Sequence, residues 1–378
     1  MRTAKPLLLL FLLFPSPLFA QQLPVPQPPS IAAKSYLLTD YYSKQILVGQ
    51  NINTRIEPAS LTKLMTAYLT FAALKQKQIT LEQQFAVSTH AWHAEGSRMF
   101  IEPGKPVKVE DLIRGMVVES GNDACIALAE GIAGSEEAFT QMMNSEAQRL
   151  GMKNTHFMNS TGLPDPQHYS TAYDLSLLAA AVIRDFPEYY SLYSIKEYKY
   201  NNIEQFNRNR LLWTDPYVDG LKTGYTENAG YCLISTAKRG SRRLIAVVLD
   251  TASDNLRATE SQKLLNYGFQ FYDTLHLYTK GQPVTTFTVW KGAENTVEAG
   301  FPEDVYLSLP KGQSQSLKAT MESRQPLIAP ISTGQTIGVV KLTIDGKPVT
   351  QHPLVALDNV EPANILVRGW DSLRLLFN

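Results

Sequence analysis

The chain has 378 residues, of which 44% are hydrophobic and 19% charged, and this composition excludes a disordered or collagen-like protein. Its 35 basic residues balance 35 acidic ones without a long run of either sign, so we expect no nucleic-acid partner. Two widely separated cysteines, Cys125 and Cys232, exclude a disulfide framework and a thiolate zinc site. They are either two buried free thiols, which is the simpler interpretation, or a single disulfide.

The first thirty residues predict export. Arg2 and Lys5 precede an apolar run that ends at Ala20, a pattern typical of a secretory signal peptide over residues 1–20. The run is short and interrupted by proline, so a retained membrane anchor is the less favoured alternative. Residues 21–30, QQLPVPQPPS, predict an extended proline-rich leader. We therefore expect the mature protein to work outside the cytoplasm, in the periplasm.

The pattern of residues 31–281 predicts a first domain of the α+β class. Segments 35–38 and 45–48 have the pattern of an opening β-hairpin, and apolar spacing then predicts a helix from Ala59 to about Ala73. Helical patterns continue to about Ile183, two strands follow at 231–237 and 243–249, and a last helix covers about 257–271. Because no βαβ alternation occurs, we expect an antiparallel sheet covered by helices.

Residues 282–362 predict a small all-β domain with no visible chemistry of its own. Short alternating runs are separated by turn residues, and Asp345-Gly346 between two such runs is a strong hairpin signal.

The tail at 363–378 has a helical pattern with two unlike faces. The apolar stripe comprises Ile365, Leu366, Trp370, Leu373, Leu376 and Phe377, and the opposite face carries Arg368, Asp371 and Arg374. This pattern favours a helix that lies in a membrane interface, because it is too short to span a bilayer. The alternative is a terminal helix packed on its own domain.

A serine and a lysine stand one helical turn apart at the start of the first predicted helix. Ser60 and Lys63 share one helix face, so the lysine can serve as the base that activates the serine once burial has lowered its pKa. The pattern alone is weak, since a chain of this length contains about one S-x-x-K by chance. A second copy, Ser235 to Lys238, lies in a predicted strand, where residues three apart face opposite ways.

Two further motifs accompany the serine–lysine pair at Ser60 and Lys63. Ser120-Gly121-Asn122 lies in a predicted turn between helices, where the hydroxyl can relay a proton and the carboxamide can donate to a substrate carbonyl; a helix cap is the alternative. Lys222-Thr223-Gly224 lies in an extended segment. There Lys222 would place a fixed positive charge that holds Lys63 unprotonated, and Gly224 would admit a substrate backbone.

The order of the three motifs decides between these interpretations. S-x-x-K at a helix start, S-x-N about sixty residues later and K-T-G on a late strand resemble the penicillin-recognising acyl-serine enzymes. Ser253-Asp254-Asn255 follows K-T-G and does not fit that order. From about residue 31 to the end, the chain is similar to the low-molecular-mass penicillin-binding proteins of the D-alanyl-D-alanine carboxypeptidase type.

The resemblance implies a serine D,D-carboxypeptidase that removes the terminal D-alanine from peptidoglycan stem pentapeptides and is inhibited by β-lactams. It implies that Ser60 is the nucleophile, Lys63 the base and Ser120 the relay. It further implies substrate contacts from Asn122, Lys222, Thr223, Gly224, Tyr225 and Arg257, with Arg208 as a helper, and an oxyanion hole from the backbone N–H groups of Ser60 and Tyr225. Tyr225 stands where some members have histidine, and the tail is shorter than in well-anchored relatives.

Several alternatives remain open from the sequence. A D,D-endopeptidase would use the same residues, and a β-lactam-binding sensor or scaffold would acylate without turnover. A β-lactamase is disfavoured, because Glu197 and Asn201 fall in an alternating strand pattern. We expect no cofactor and no metal, since His90 and His93 lack a convincing third ligand.

Overall fold

The computed structural model describes residues 26–376, and the predicted signal peptide lies outside the described residues. Within that part of the chain, no helix has both the length and the apolar character needed to cross a membrane.

The elements have the following bounds. The strands are β1 (Ser35–Asp40), β2 (Ile46–Gln50), β3 (Gln84–Phe85), β4 (Val107–Lys108), β5 (Glu197–Tyr200), β6 (Ile203–Phe206), β7 (Val218–Thr226), β8 (Gly230–Arg239), β9 (Arg242–Thr251), β10 (Tyr272–Tyr278), β11 (Thr285–Trp290), β12 (Thr296–Gly300), β13 (Val305–Pro310), β14 (Leu317–Ser323), β15 (Leu327–Ile328), β16 (Thr336–Ile344) and β17 (Lys347–Ala356). The helices are α1 (Lys63–Lys75), α2 (Thr89–Trp92), α3 (Val109–Val118), α4 (Asn122–Ala133), α5 (Glu136–Arg149), α6 (Ala172–Asp185), α7 (Pro187–Tyr190), α8 (Leu211–Thr214), α9 (Asp254–Phe271) and α10 (Ile365–Arg374). Short 3-10 helices cover Ala59–Thr62, Ser191–Ser194 and Ser314–Ser316.

A five-stranded antiparallel sheet with the order β2-β1-β9-β8-β7 organises the first domain. Alternate residues of a strand face opposite sides, and in β9 both sides are buried. Ile245 and Val247 belong to the core beneath the helical region, whereas Leu244 and Val248 belong to the core beneath α9. The predicted antiparallel sheet covered by helices is confirmed, and it fixes β7 as an edge strand facing the helical region.

The start of the first helix differs from the prediction. Instead of a continuous α-helix from Ala59, the chain makes a 3-10 turn before α1 begins at Lys63. The reason is local, because Ala59 has a left-handed φ of 47° and the turn closes through a 3.1 Å bond from the Leu61 N–H to the Pro58 carbonyl. This turn carries Ser60 to the surface of the helical region while Lys63 enters the core.

A separate all-β unit follows α9 directly. Strands β14, β16, β17, β12, β11 and β15 form a six-stranded sheet in that order, and β10 pairs with β13 beside it. The Asp345-Gly346 hairpin is confirmed, with both turn residues at positive φ. Sequence placed the start of this unit at 282, whereas the pairing of β10 assigns residues 272–278 to it, since that strand follows α9 without the turn residues that mark a boundary.

The terminal helix α10 contacts the β unit through its polar face. Asp371 is buried and accepts a 2.6 Å bond from the backbone N–H of Lys291, and the Arg374 guanidinium lies 5.3 Å from the Trp290 ring centroid. The apolar stripe faces solvent, with Leu366 at 84% and Trp370 at 64% exposure. The helix is therefore packed on its own domain, but not through the apolar face that such packing would normally cover.

Candidate active site

Ser60 and Lys63 form the first half of the site. The Lys63 ammonium donates to the Ser60 Oγ at 2.9 Å and to the Thr161 carbonyl at 2.6 Å. Lys63 is 1% exposed, and this burial lowers the pKa of its amine to about 8. Ser60 is only half-buried and lines a cleft. A hydroxyl open to a ligand thus has a hydrogen-bonded base behind it.

Ser120 and Lys222 form the second half. Ser120 follows α3 with a left-handed φ of 68°, a conformation that costs free energy for a residue other than glycine and is frequent at functional sites. Lys222 on β7 donates to the Ser120 Oγ at 2.9 Å and to the Thr223 carbonyl at 3.0 Å. The predicted turn between helices is confirmed, and the structure holds two serine–lysine pairs.

Lys222 shares its buried environment with Lys63. Burial lowers the pKa of Lys222 well below its ordinary value, and the positive charge of Lys63 lowers it further. The two amines therefore disfavour each other's charged form, and the predicted role of Lys222 in holding Lys63 unprotonated stays a prediction.

Asp123 holds the turn of Ser120 against the neighbouring loop. Its carboxylate accepts the backbone N–H groups of Met99 at 2.9 Å, Phe100 at 2.8 Å and Ile101 at 3.2 Å. Asn122 donates its Nδ2 to the Glu95 carbonyl at 2.6 Å, and no described residue binds its Oδ1. Since the amide nitrogen carries two N–H bonds, one remains beside the Glu95 contact, and its predicted donation to a substrate carbonyl stays a prediction.

Two glycines allow the elements of the site to approach closely. A Cβ at Gly162, which has a φ of 85°, would lie 1.8 Å from the Ala59 carbonyl oxygen. A Cβ at Gly224 would lie 3.2 Å from both Leu61 Cγ and the Pro58 carbonyl oxygen. Gly224 thus packs β7 against the turn that carries Ser60, and the substrate approach predicted for it stays a prediction.

The two serines open into one cleft of about 480 Å³. Eight of the ten predicted site residues line it, namely Ser60, Ser120, Asn122, Arg208, Thr223, Gly224, Tyr225 and Arg257. Lys63 and Lys222 lie beneath its wall and reach it through their serine partners. The structure thus places all ten predicted residues together.

Arg257 and Arg208 supply the positive charge of the cleft. Arg257 is 5% exposed, donates to the Gly224 carbonyl at 3.0 Å and pairs with Asp254. Arg208 is exposed at the cleft wall. The Tyr225 ring packs against Tyr231 with centroids 4.3 Å apart and is half exposed to the cleft. Two guanidinium groups of this kind are suited to a carboxylate.

Residues that the sequence analysis excluded from the active site make other contacts in the structure. Ser253 caps α9 by accepting the Leu256 N–H. His90 pairs with Glu136 at 2.9 Å, and within residues 26–376 no cluster of three His, Cys, Asp or Glu side chains could hold a metal. Cys125 and Cys232 are buried free thiols, as the simpler interpretation predicted.

Two contributors to the site were not identified from the sequence. The Thr161 carbonyl binds Lys63, and the Asp123 carboxylate fixes the loop at 99–101. A backbone acceptor has no signal in a single sequence. Asp123 follows the S-x-N motif directly, so its adjacency was the only available signal.

Comparison with known proteins agrees with this geometry. The family model described as D-alanyl-D-alanine carboxypeptidase matches residues 22–253, and the model described as penicillin-binding protein 5, C-terminal domain, matches residues 272–362. The D-alanyl-D-alanine carboxypeptidase DacC of Escherichia coli is 41% identical over 98% of this chain and 94% of its own length.

Solved structures agree as well. Penicillin-binding protein 5 from Haemophilus influenzae is 40% identical, covers 88% of this chain and 99% of its own, and has a TM-score of 0.86. Penicillin-binding protein D2 from Listeria monocytogenes, solved in an ampicillin-bound form, is 31% identical over 64% of this chain and 100% of its own, with a TM-score of 0.57. The predicted family, fold and enzyme class are confirmed, and the chain belongs to the D-alanyl-D-alanine carboxypeptidase family.

Proposed function

We propose that this cleft removes the terminal D-alanine from peptidoglycan stem pentapeptides through an acyl-enzyme on Ser60. The observation that carries the proposal is the pairing of two serines with two buried lysines beside one cleft. A nucleophile, its base and a second hydroxyl–amine pair are the groups that acyl transfer to serine requires.

In the acylation step, Ser60 Oγ attacks the carbonyl carbon of the penultimate residue while its proton passes to Lys63. With a pKa of about 8, a useful fraction of Lys63 is unprotonated near neutral pH. The carbon–nitrogen bond then breaks, and the amine of the leaving D-alanine takes the proton from Lys63 through Ser120. The backbone N–H groups of Ser60 and Tyr225 stabilise the oxyanion.

Recognition of the substrate depends on its terminal carboxylate. Arg257, Arg208, Thr223 and Lys222 surround the part of the cleft next to β7. An incoming carboxylate would raise the pKa of Lys222, so substrate binding would favour the protonated form of this amine. Asn122 would donate the second N–H of its amide to a substrate carbonyl.

Deacylation returns the enzyme to its starting state. Water adds to the ester carbon and gives its proton to Lys63, the ester bond breaks, and Lys63 returns that proton to Ser60 Oγ. A β-lactam forms the same ester, but it remains tethered after ring opening and deacylates slowly, so β-lactams inhibit the enzyme.

The test is release of D-alanine from a synthetic stem pentapeptide by the purified protein. We expect release in the wild-type protein and none in Ser60→Ala. Cleavage of a cross-linked dimer into its two stem peptides, without release of D-alanine from the pentapeptide, would establish the endopeptidase alternative. Reaction with labelled penicillin without any release would establish a binding-only protein.

We further propose that the exported protein rests on the outer face of the cytoplasmic membrane through α10. Its exposed apolar residues are Ile365, Leu366, Trp370, Leu373 and Leu376. Docking through Asp371 keeps this stripe turned away from the β domain, where it can enter the headgroup region. Wild-type protein should float with anionic vesicles, and a Leu366→Ser/Trp370→Ser double variant should not. Equal flotation of both would contradict the proposal.

A further inference from the structure

Glu136 lies outside the cleft but is connected to its base. It is the first residue of α5, and its side chain is 13% exposed. One carboxylate oxygen, Oε1, accepts both the backbone N–H of Ser160 at 2.8 Å and the Ser160 hydroxyl at 2.6 Å. The other oxygen, Oε2, lies 2.9 Å from His90 Nε2. Both carboxylate oxygens are therefore engaged in fixed contacts.

Ser160 begins the segment that contacts the catalytic helix. Its carbonyl accepts the Thr66 hydroxyl at 2.6 Å, and the next carbonyl, that of Thr161, accepts the Lys63 ammonium at 2.6 Å. Ser160 is fully buried, so its hydroxyl and N–H have no water to replace Glu136. The position of the Thr161 carbonyl, and with it that of Lys63, is held by this carboxylate together with Asn159. Asn159 Oδ1 accepts the backbone N–H groups of Thr161 at 3.2 Å and Gly162 at 2.7 Å.

We infer that Glu136 is a positioning residue for the catalytic base, acting through the Ser160–Thr161 backbone and through its negative charge. The inference rests on the proposed role of Lys63. It assigns a function to a side chain that none of the three sequence motifs includes.

Glu136 lines a second cavity next to the cleft. This cavity of about 290 Å³ shares Thr161 and Leu163 with the wall of the cleft, so the segment lines both cavities. Its titratable lining residues are His90, His93, Glu95 and Glu136. Charged or titratable groups that interact with Lys63 from the surrounding elements are Asp123, Cys125, Glu136, His168, Arg208 and Lys222.

The charge and the hydrogen bonds of Glu136 can be separated by two substitutions. Glu136→Gln keeps an oxygen that accepts from Ser160 but removes the negative charge, which otherwise favours protonated Lys63. The pKa of Lys63 should therefore fall, and the acid limb of the acylation rate against pH should move to lower pH by about half a unit. Glu136→Ala removes the acceptor, and the displaced lysine should cost about 10- to 100-fold in the acylation rate.

Glu137→Gln is the matched control. Glu137 is the next residue of α5, it is exposed, and it carries the same charge without contacting Ser160. Its variant changes the net charge by the same amount and should leave the pH profile at the wild-type position. Thermal unfolding of each variant separates loss of folding from loss of catalysis.

The measurement is the second-order rate of Ser60 acylation by labelled penicillin between pH 5 and pH 10. An acid limb that moves to lower pH in Glu136→Gln, while that of Glu137→Gln stays at the wild-type position, supports the inference. A Glu136→Gln profile that superimposes on wild type overturns it, and so does a folded Glu136→Ala protein that acylates at the wild-type rate. Failure of the wild-type protein to acylate would instead contradict the proposed function, so the two failures are distinguishable.

Discussion

The catalytic domain and the β domain bury different kinds of side chain. The catalytic domain encloses two lysines, Lys63 and Lys222, together with the carboxyl groups of Glu119 and Asp123. In the β domain and α10, the buried polar side chains among the described residues are Ser308 and Asp371. The rest of that interior is a cluster of valine, leucine, isoleucine, alanine and phenylalanine.

The difference indicates that the buried ionisable groups of the catalytic domain reduce its stability because its chemistry requires them. A buried amine with a lowered pKa destabilises the folded state at neutral pH, and the active site needs that lowered pKa for its base. An apolar interior such as that of the β domain contains no buried amine that destabilises the folded state, and it contributes stability but no catalytic group. Substitutions in the first domain should therefore separate activity from stability, whereas those in the second should change stability alone.

The largest expected effect is that of Lys63→Met. Loss of the base should reduce Ser60 acylation by about 10²- to 10⁴-fold. The folded-state pKa of about 8 lies below the ordinary 10.5, so wild-type stability rises as pH increases between those values and is lower beneath pH 8. Removing the amine should raise the free energy of unfolding at pH 7 by about 1 kcal/mol, after the loss of the Thr161 hydrogen bond.

Acylation kinetics and urea unfolding at pH 7 check both halves of this prediction. A variant that loses activity and stability together would mean that Lys63 is a structural residue, and the contrast between the two domains would not hold.

Leu354→Ala is the corresponding change in the β domain. Leu354 is fully buried in β17, so the cavity should cost about 3 kcal/mol in the stability of that domain. The acylation rate should not change. Val349→Ala on the same strand, where the side chain is 38% exposed, is the control and should cost less than about 1 kcal/mol. A fall in acylation with Leu354→Ala would show that the domains are coupled.

Glu119→Gln should have the smallest of the three effects, and it tests whether a buried carboxyl destabilises the catalytic domain. Glu119 is 2% exposed, and no described residue binds either of its carboxylate oxygens. Burial, reinforced by Asp123, raises its pKa to about 8. Its stabilising contribution is complete below about pH 4.5 and is lost as pH rises through 8.

The glutamine variant does not titrate, so it should be more stable than wild type by about 1 to 2 kcal/mol at pH 9 and nearly equal to it at pH 4. Thermal unfolding at the two pH values measures the difference. Identical curves at pH 9 would show that Glu119 is ionised without cost, and that this buried carboxyl does not destabilise the domain.

Much of the site could be predicted because its chemistry requires fixed residue types at fixed spacings. The three motifs identified Ser60, Lys63, Ser120 and Lys222, and their order excluded Ser253. The sheet and the hairpin at 345–346 followed from periodicity and turn residues. These features are local, so a single sequence records them.

The remainder depends on contacts between distant segments. Thr161 lies 98 residues after Lys63 in the sequence, and Glu136 lies 73 residues after it (136 − 63). The Thr161 carbonyl and the Glu136 carboxylate therefore have no local signal for their action on Lys63. The low pKa of Lys222 follows from its burial beside Lys63, which the K-T-G motif does not reveal. In α10 the pattern defined two faces, but only the structure shows that Asp371 docks and the apolar face stays open.

The most direct test of the central claim is the site of acylation. After reaction with penicillin and digestion by trypsin, the peptide of residues 56–63, in which Ser60 is the only serine, should carry one penicilloyl group. Ser60→Ala protein should carry none. A penicilloyl group on the peptide that contains Ser120, or one that persists in Ser60→Ala, would contradict the assignment of Ser60 as the nucleophile.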